Sequence, residues 1–213
     1  MMATTHALAG MALASVAALF APEFAPVAVV AAGAGGAFPD LDTPGRHRRT
    51  LHYPVYYSLA AAGLLAVAVV VPTPATVALA AFVGAAAVHS ASDALGGGLE
   101  LRPWEGTSDR AVYDHYHGRW LRPRRWVRYD GSPEDVALAG LLAVPTLALA
   151  GGPIGATAIS GAFVPTLVVA LVGLSVVYGL VRKPLVVLGA WLVATLPPGV
   201  VDRLPGSFAD ELR

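Results

Sequence analysis

The sequence predicts an all-α protein, a multi-pass transmembrane helical bundle of about five to seven crossings with one polar interfacial insert. Of its 213 residues, 56% are hydrophobic and 13% are charged, whereas about a quarter of the residues of a soluble domain carry a charge. Such a chain lacks the polar side chains that a soluble domain of this size needs to cover its surface. The composition therefore indicates an integral membrane protein.

Charge and cysteine content exclude several other classes of protein. Fourteen Lys and Arg balance fourteen Asp and Glu, which argues against a basic nucleic-acid-binding protein and against an acidic disordered chain. The chain has no Cys. Disulfides, thiolate metal sites and cysteine nucleophiles are therefore excluded.

Apolar runs recur along the chain, and each one is a candidate membrane crossing. They lie at residues 7–20, 27–38, 55–71, 75–92, 136–150, 154–181 and 184–201. A spanning helix needs about 20 apolar residues, so the first, second and fifth runs are short enough to be buried, tilted or re-entrant. Ala and Gly dominate the runs, which suits close helix–helix contact in lipid. Counting each run once predicts seven crossings.

The connections between these runs alternate between charged and nearly uncharged segments. Residues 39–52 carry two Asp and three Arg, and residues 99–135 carry seven Arg and seven acidic residues. The short segments with Pro or Gly between the other runs are almost uncharged: 22–26, 72–74 and 151–153. Arginine-bearing loops favour the cytoplasm. The sequence thus predicts a protein of the cell (inner) membrane with its N-terminus and charged connections on the cytoplasmic face.

Residues 1–37 are interpreted as a retained part of the protein and not as a signal peptide. They contain no Lys or Arg, and Pro22-Glu23 breaks the apolar stretch, whereas a signal peptide begins with a positively charged region. The chain divides into a helical half with the candidate site (1–98), a polar insert (99–135) and C-terminal transmembrane helices (136–213).

The polar insert interleaves Trp and Tyr with Arg. Aromatic side chains favour the headgroup layer and arginine pairs with lipid phosphate, so the insert is expected to lie on the membrane as an interfacial flap without a core of its own. An ordinary ordered loop is the alternative. Ser132 as N-cap and Pro133 at the first helical position predict that a helix follows.

Histidine and aspartate side chains flank the apolar runs of the first half, and ionisable groups at such positions are candidates for function. The candidate metal ligands are His6, Asp40, His47, His52, His89 and Asp93. His89 and Asp93 are four residues apart and share one face of a helix. Imidazole combined with carboxylate is typical of Zn²⁺, Mn²⁺ or Fe²⁺ sites. The sequence therefore predicts one or two divalent ions, with Zn²⁺ or Mn²⁺ as the favoured metals.

The predicted topology brings these groups to one membrane face. A down-and-back hairpin separates His6 from residues 40–52, and another separates those residues from His89 and Asp93, so one shared site is geometrically possible. The alternatives are a capped turn at Asp40 and Asp42, a basic patch at 47–52 that contacts lipid phosphate, and a helix–helix hydrogen bond for the His89/Asp93 pair. His115 and His117 are interpreted as loop residues.

Four motifs in this order resemble those of the YdjM-type family of inner-membrane proteins, which are classed as metal-dependent hydrolases. They are Thr5-His6 with Gly10, Phe38-Pro39-Asp40-Leu41-Asp42, His47-Arg48-Arg49-Thr50-Leu51-His52 and His89-x3-Asp93. The resemblance covers about residues 4–100. The chain departs from the family around the second histidine of the third motif, where it reads Thr50-Leu51-His52-Tyr53. The resemblance implies a class of activity and no substrate.

A metal at these residues would support hydrolysis by activating water. Asp42 is then expected to orient that water or act as general base, and Arg48 or Arg49 to bind a phosphate oxygen of the substrate. The expected partners are membrane lipid and an amphiphilic substrate such as a phosphoester, with no nucleic acid; homo-oligomerisation is left open.

Two other classes of function fit the same residues. A divalent-cation transporter would need polar residues along its path, yet residues 136–181 contain few beyond Thr and Ser. A non-enzymatic membrane scaffold would use the His and Asp side chains to hold helices together.

Overall fold

The computed structural model describes residues 1–43, 46–152 and 158–201, and these are mostly helical, as predicted. The helices are α1 (Ala3–Ala17), α2 (Ala25–Ala37), α3 (Pro54–Val70), α4 (Pro74–Ser92), α5 (Pro133–Leu149), α6 (Ala158–Thr195) and the short α7 (Pro198–Val201). Three 3-10 turns lie at Pro22–Phe24, Phe38–Asp42 and Asp93–Leu95. Two strands, β1 (Val112–Asp114) and β2 (Arg119–Leu121), form an antiparallel hairpin in the insert.

Proline and capping side chains set where the helices begin. Proline occupies the first turn of α2, α3, α4 and α5, where its missing N–H costs nothing. The Thr73 side chain accepts a hydrogen bond from the Thr76 backbone at 3.2 Å, and Ser132 accepts one from the Asp135 backbone at 3.3 Å. The predicted N-cap at Ser132 is therefore confirmed.

Helix α1 lies at the centre of the bundle. It packs against α2 and α4 on one side and against α5 and α6 on the other, while α3 packs on α4. One buried core joins α1, α2, α4, α5 and α6, with Leu8 and Met11 of α1, Val29 of α2, and Val164 and Val168 of α6 at 0% exposure.

Three helical segments are long and apolar enough to cross a membrane: Pro22–Asp42, Pro74–Leu95 and Gly161–Thr195. The described residues thus offer fewer spans than the five to seven crossings predicted. The runs at 7–20 and 55–71 form helices of 15 and 17 residues. At a rise of 1.5 Å per residue these are about 23 and 26 Å long, shorter than the hydrocarbon core of about 30 Å.

The prediction of two separate crossings at 154–181 and 184–201 is wrong, because α6 continues through Arg182 and Lys183 as one helix of 38 residues. Both side chains contact the polar insert, and the helix is not interrupted by a turn at this point. The Arg182 Nε atom lies 3.0 Å from Asp130 Oδ2, and the Lys183 Nζ atom lies 5.4 Å from the ring centroid of Trp104. The charged pair therefore marks the point where α6 passes the insert. Residues 202–213 of the predicted C-terminal part (136–213) lie outside the described residues.

The insert is more ordered than the predicted flap. Ala111 and Val112 are fully buried, and the Arg125 guanidinium donates hydrogen bonds to the Gly106 and Ser108 carbonyls, both at 2.8 Å. Tyr178 of α6 donates a hydrogen bond to Asp130 at 2.5 Å. The insert is thus attached to the bundle by buried and polar contacts.

Glycine lets the central helices touch. A Cβ atom on Gly35 would overlap the Phe82 carbonyl of α4, and one on Gly36 would overlap the His6 carbonyl of α1. A Cβ atom on Gly140 of α5 would meet nothing within 4 Å. Close approach at Gly35 and Gly36 therefore holds α1, α2 and α4 together.

We expect Gly35→Ala to destabilise the protein by about 1–3 kcal/mol, because the added methyl group overpacks a backbone contact. The matched replacement Gly140→Ala should stabilise it by about 0.5–1 kcal/mol, because alanine favours a helix interior. Thermal unfolding in detergent micelles measures both changes. A Gly35→Ala protein as stable as the wild type would contradict the packing described here.

Candidate metal centre

The candidate ligands come from four separate segments that meet at one end of the bundle. His6 lies on α1, and Asp40 lies in the 3-10 turn that follows α2. His52 directly precedes α3, and His89 and Asp93 lie at the end of α4. The structure brings these groups together in one cluster, the shared site that the predicted topology made possible. His52, His89 and Asp93 are 0–1% exposed.

Four side-chain atoms face one another at the middle of this cluster. Asp40, His52, His89 and Asp93 are named here the central quartet. The His52 Nε2 atom lies 3.2 Å from His89 Nε2 and 3.2 Å from Asp93 Oδ2. Three further distances are 3.6 Å from His89 Nε2 to Asp93 Oδ2, 3.4 Å from His89 Nε2 to Asp40 Oδ1 and 3.6 Å from His52 Nε2 to Asp40 Oδ1. Ligands about 2.0–2.1 Å from a tetrahedral zinc ion lie about 3.3–3.4 Å apart. The spacing therefore fits a metal ion.

Hydrogen bonds on the far side of both imidazoles decide which nitrogen is free. The His89 Nδ1 atom lies 2.5 Å from the Gly36 carbonyl oxygen, and the His52 Nδ1 atom lies 3.0 Å from Asp42 Oδ2. Both partners only accept, so both Nδ1 atoms carry the hydrogen. The lone pair of each neutral ring is consequently on Nε2 and points into the quartet, as in metal-bound histidine.

The quartet has a surplus of acceptors. With both rings neutral in this tautomer, two imidazole lone pairs face two carboxylates, and the Arg48 Nε atom, 3.5 Å from Asp93 Oδ2, makes no hydrogen bond to them. Asp93 Oδ2 is buried and has no hydrogen-bond partner within the described parts of the chain. Uncompensated buried acceptors are costly. The residues present therefore suit a cation, and the imidazole and carboxylate donor set suits Zn²⁺ or Mn²⁺.

The carboxylates also act on the protonation of His52. Burial by itself lowers the pKa of this imidazole. The neighbouring carboxylates of Asp40 and Asp93, together with the charge of Asp42, outweigh burial and raise the pKa to about 9. Without a metal ion these carboxylates therefore favour a proton on His52 Nε2, the atom that a divalent ion would bind in its place.

Asp42 accepts hydrogen bonds on both of its oxygens. Oδ1 accepts from His47 Nδ1 at 2.9 Å and from the Arg48 backbone at 3.3 Å. Oδ2 accepts from the Leu51 backbone and from His52 Nδ1, both at 3.0 Å. Four donors fill the capacity of a carboxylate. Asp42 therefore holds the loop at 46–52 and orients His52.

His6 contacts the quartet through Asp93. Its Nε2 atom lies 3.2 Å from Asp93 Oδ1, its Nδ1 atom lies 3.4 Å from Ser92 Oγ, and its ring stacks on His89 with centroids 3.7 Å apart. Ligand atoms of His6, His89 and Asp93 also lie within 4.8 Å of one another. However, the one free nitrogen of His89 already faces the quartet, so His6 is best placed to hold Asp93.

His47 and Asp40 form the accessible edge of the centre. Their side chains are 29% and 17% exposed, and His47 Nε2 lies 3.9 Å from Asp40 Oδ1. Because Asp42 accepts from His47 Nδ1, the Nε2 atom of a neutral His47 carries a free lone pair.

The two arginines of the third motif have different surroundings. Arg48 adopts a φ of 57°, and its Nε atom lies 3.5 Å from Asp93 Oδ2. Its Nη1 atom donates to the carbonyls of Gly97 at 2.7 Å and Ala111 at 3.3 Å. Arg49 instead stacks on Tyr113, with the guanidinium carbon 4.3 Å from the ring centroid. The Arg48 guanidinium is thus held by buried carbonyl groups, and phosphate binding by either arginine stays a prediction.

Several contacts of the centre have no sequence signal. The Gly36 carbonyl positions His89 across 53 residues, and the Met1 amine lies 3.7 Å from Asp93 Oδ1. The insert covers the loop at 46–53, where the Tyr113 backbone donates to the Arg48 carbonyl at 2.9 Å and the His115 ring lies 4.3 Å from that of Tyr53. Main-chain partners such as these depend on which helices are neighbours.

Arg48→Ala is expected to destabilise the protein by about 3 kcal/mol, because it removes a buried cation from beside the buried Asp93 carboxylate. It should also loosen the insert, which loses the hydrogen bond from the Arg48 side chain to the Ala111 carbonyl. Arg49→Ala, which removes a stacking contact, should change stability by about 1 kcal/mol or less.

Thermal unfolding and limited proteolysis of the insert compare these two variants. Equal stability and equal cleavage of Arg48→Ala and Arg49→Ala would show that Arg48 does not hold the insert on the centre.

No family model, no curated protein and no solved structure matches the chain. The resemblance to the YdjM-type family therefore stays a prediction from four motifs. Those four motifs nevertheless supply every member of the central quartet, together with His6, Asp42, His47 and Arg48. Function is consequently inferred from the chemistry of this centre.

Proposed function

We propose that the protein is a metal-dependent hydrolase of the cell membrane that holds one or two divalent ions, Zn²⁺ or Mn²⁺ first, in the central quartet. One observation carries the proposal: the free Nε2 atoms of His52 and His89 and the carboxylates of Asp40 and Asp93 converge at the spacing of metal ligands. A divalent ion bound there would lower the pKa of a bound water toward neutrality and polarise the scissile group.

The accessible edge defines where a substrate approaches. His52, His89 and Asp93 are closed off from the outside, whereas Asp40 and His47 are partly exposed. His47 is held by Asp42 through Nδ1 and offers a free Nε2, the arrangement of a carboxylate-oriented general base. We assign proton transfer to His47 and positioning to Asp42, in place of the general-base role that the sequence suggested for Asp42.

The distribution of the arginines supports a membrane topology in which the centre lies on the cytoplasmic side. The loop at 46–52 and the insert both contact the end of the bundle that holds the centre, and Arg182 contacts the insert. The nearly uncharged connections after α1 and α3 lie at the other ends of those helices. By the positive-inside rule the centre faces the cytoplasm, at the depth of lipid headgroups. An amphiphilic ester, with phosphoesters as the first class to test, is the substrate that reaches such a site from the membrane.

Zinc content per chain tests the metal centre. We expect about one to two Zn²⁺ per wild-type chain, and loss of most of it in His89→Ala and in the nearly isosteric Asp93→Asn, because each removes a ligand. His117→Ala is the matched control: this histidine also pairs with a carboxylate, that of Asp114 at 2.6 Å, but lies outside the centre.

Metal analysis of the purified, zinc-loaded proteins gives the result. A wild-type chain without metal, or equal zinc in His89→Ala and His117→Ala, would leave a scaffold as the better interpretation. Uptake of zinc into proteoliposomes would favour a transporter.

Hydrolysis of chromogenic phosphate and carboxylate esters tests the role of His47. His47→Gln should lower kcat by about 10²–10⁴-fold, the usual contribution of a general base, and should keep its zinc because His47 lies outside the quartet. His117→Gln should retain both activity and zinc. Full activity of His47→Gln, or no hydrolysis of any ester by the zinc-loaded wild type, would contradict the proposed mechanism.

A further inference from the structure

An apolar cavity of about 670 Å³ lies between α1, α2, α3 and α4. Small side chains line most of it, among them Ala14 of α1, Ala28 of α2, Ala62 of α3, and Ala81 and Gly84 of α4. Glu23, at the end away from the metal centre, is the one ionisable side chain among the described residues that line it. The volume of the cavity falls within the range of small-molecule sites, about 300–1,000 Å³.

The cavity comes within one helical turn of the metal centre on three helices. Gly10 follows His6 by four residues on α1, and Ala85 precedes His89 by four residues on α4. On α2, Ala32 precedes Gly36, the acceptor for His89, by four residues. Four residues of helix rise about 6 Å. The near end of the cavity thus lies beside the central quartet.

The far end of the cavity lies at the opposite side of the bundle. Phe20 after α1 and Pro72 after α3 line it there. Along α4 the lining runs from Val88 to Val77, eleven residues or about 16 Å of helix. The cavity is therefore elongated, and its axis leads away from the centre.

We infer that this cavity binds the hydrocarbon chain of an amphiphilic substrate whose ester group reaches the central quartet, an inference that rests on the proposed function. An apolar space of this kind holds water poorly because it offers no hydrogen-bond partners. A hydrocarbon chain fills it favourably, since each buried CH₂ contributes to binding. Because the cavity ends about one helical turn from the centre, a chain bound in it would have its polar head on the side of the ligands and its tail among the small residues.

Two glycines provide a matched pair of variants. Gly84 on α4 lines the cavity, and Gly63 on α3 does not. A Cβ atom on either one would meet nothing within 4 Å. Gly84→Phe therefore fills the cavity without a backbone clash, while Gly63→Phe adds the same side chain elsewhere.

Photolabelling of the zinc-loaded full chain in detergent micelles tests the inference. The probe is a long-chain phosphatidic acid with a diazirine at the end of one acyl chain. We expect label in the wild type on peptides that hold the far-end residues Phe20 or Val77. Gly84→Phe should lower this labelling about tenfold relative to Gly63→Phe, because the ring displaces several CH₂ groups. Gly84→Leu should give an intermediate loss.

Zinc content is measured on the same samples to show that each variant folds around its centre. Equal labelling of Gly84→Phe and Gly63→Phe, or label spread over outward-facing residues such as Val70, overturns the inference. A chain that holds no zinc but shows the expected labelling would refute the hydrolase and keep the hydrocarbon site, so the two failures are distinguishable.

Discussion

The buried carboxylate of Asp93 is the constraint on which the structure depends. Removing an ionised carboxylate from water costs several kcal/mol unless partners surround it. These partners come from α1, from the loop at 46–52 and from α4, through His6, Arg48, His52 and His89. Each segment must therefore be in place before Asp93 is stable. The same contacts bring the ligand atoms together. Folding of the first four helices and assembly of the centre are therefore one process.

The small residues of the bundle have two opposite effects on packing. Where glycine faces a backbone, as Gly35 faces Phe82 and Gly36 faces His6, it brings helices into direct contact and sets the position of the His89 ring. Where small side chains face no neighbour, as Gly84 does, they leave the cavity beside the centre. A hydropathy profile treats both kinds of residue alike, because it records composition and not which helix lies opposite.

Much of the candidate site could be predicted from local patterns. The His89-x3-Asp93 spacing defines a shared helix face, and the alternation of charged and uncharged connections places His6, Asp40 and His52 on the same side as this pair. Both inferences need only helix periodicity and chain reversal. The hydrogen-bond partners of the site residues could not be predicted from these patterns. Asp42 was expected at the reacting water, but its four hydrogen-bond donors lie five to ten residues away in a loop whose course no pattern specified.

The sequence by itself determined that the protein is a helical bundle suited to a membrane, and which residue types supply the centre, because composition and periodicity are local properties. The tertiary structure alone decided that α6 is one helix, that Arg48 clasps the insert while Arg49 stacks on Tyr113, and that the imidazoles of His52 and His89 present Nε2. Those outcomes depend on acceptors such as the Gly36 and Gly97 carbonyls, which are 53 and 49 residues from their partners. The direction of a lone pair is set by neighbours in space, and these exist only once the helices have packed.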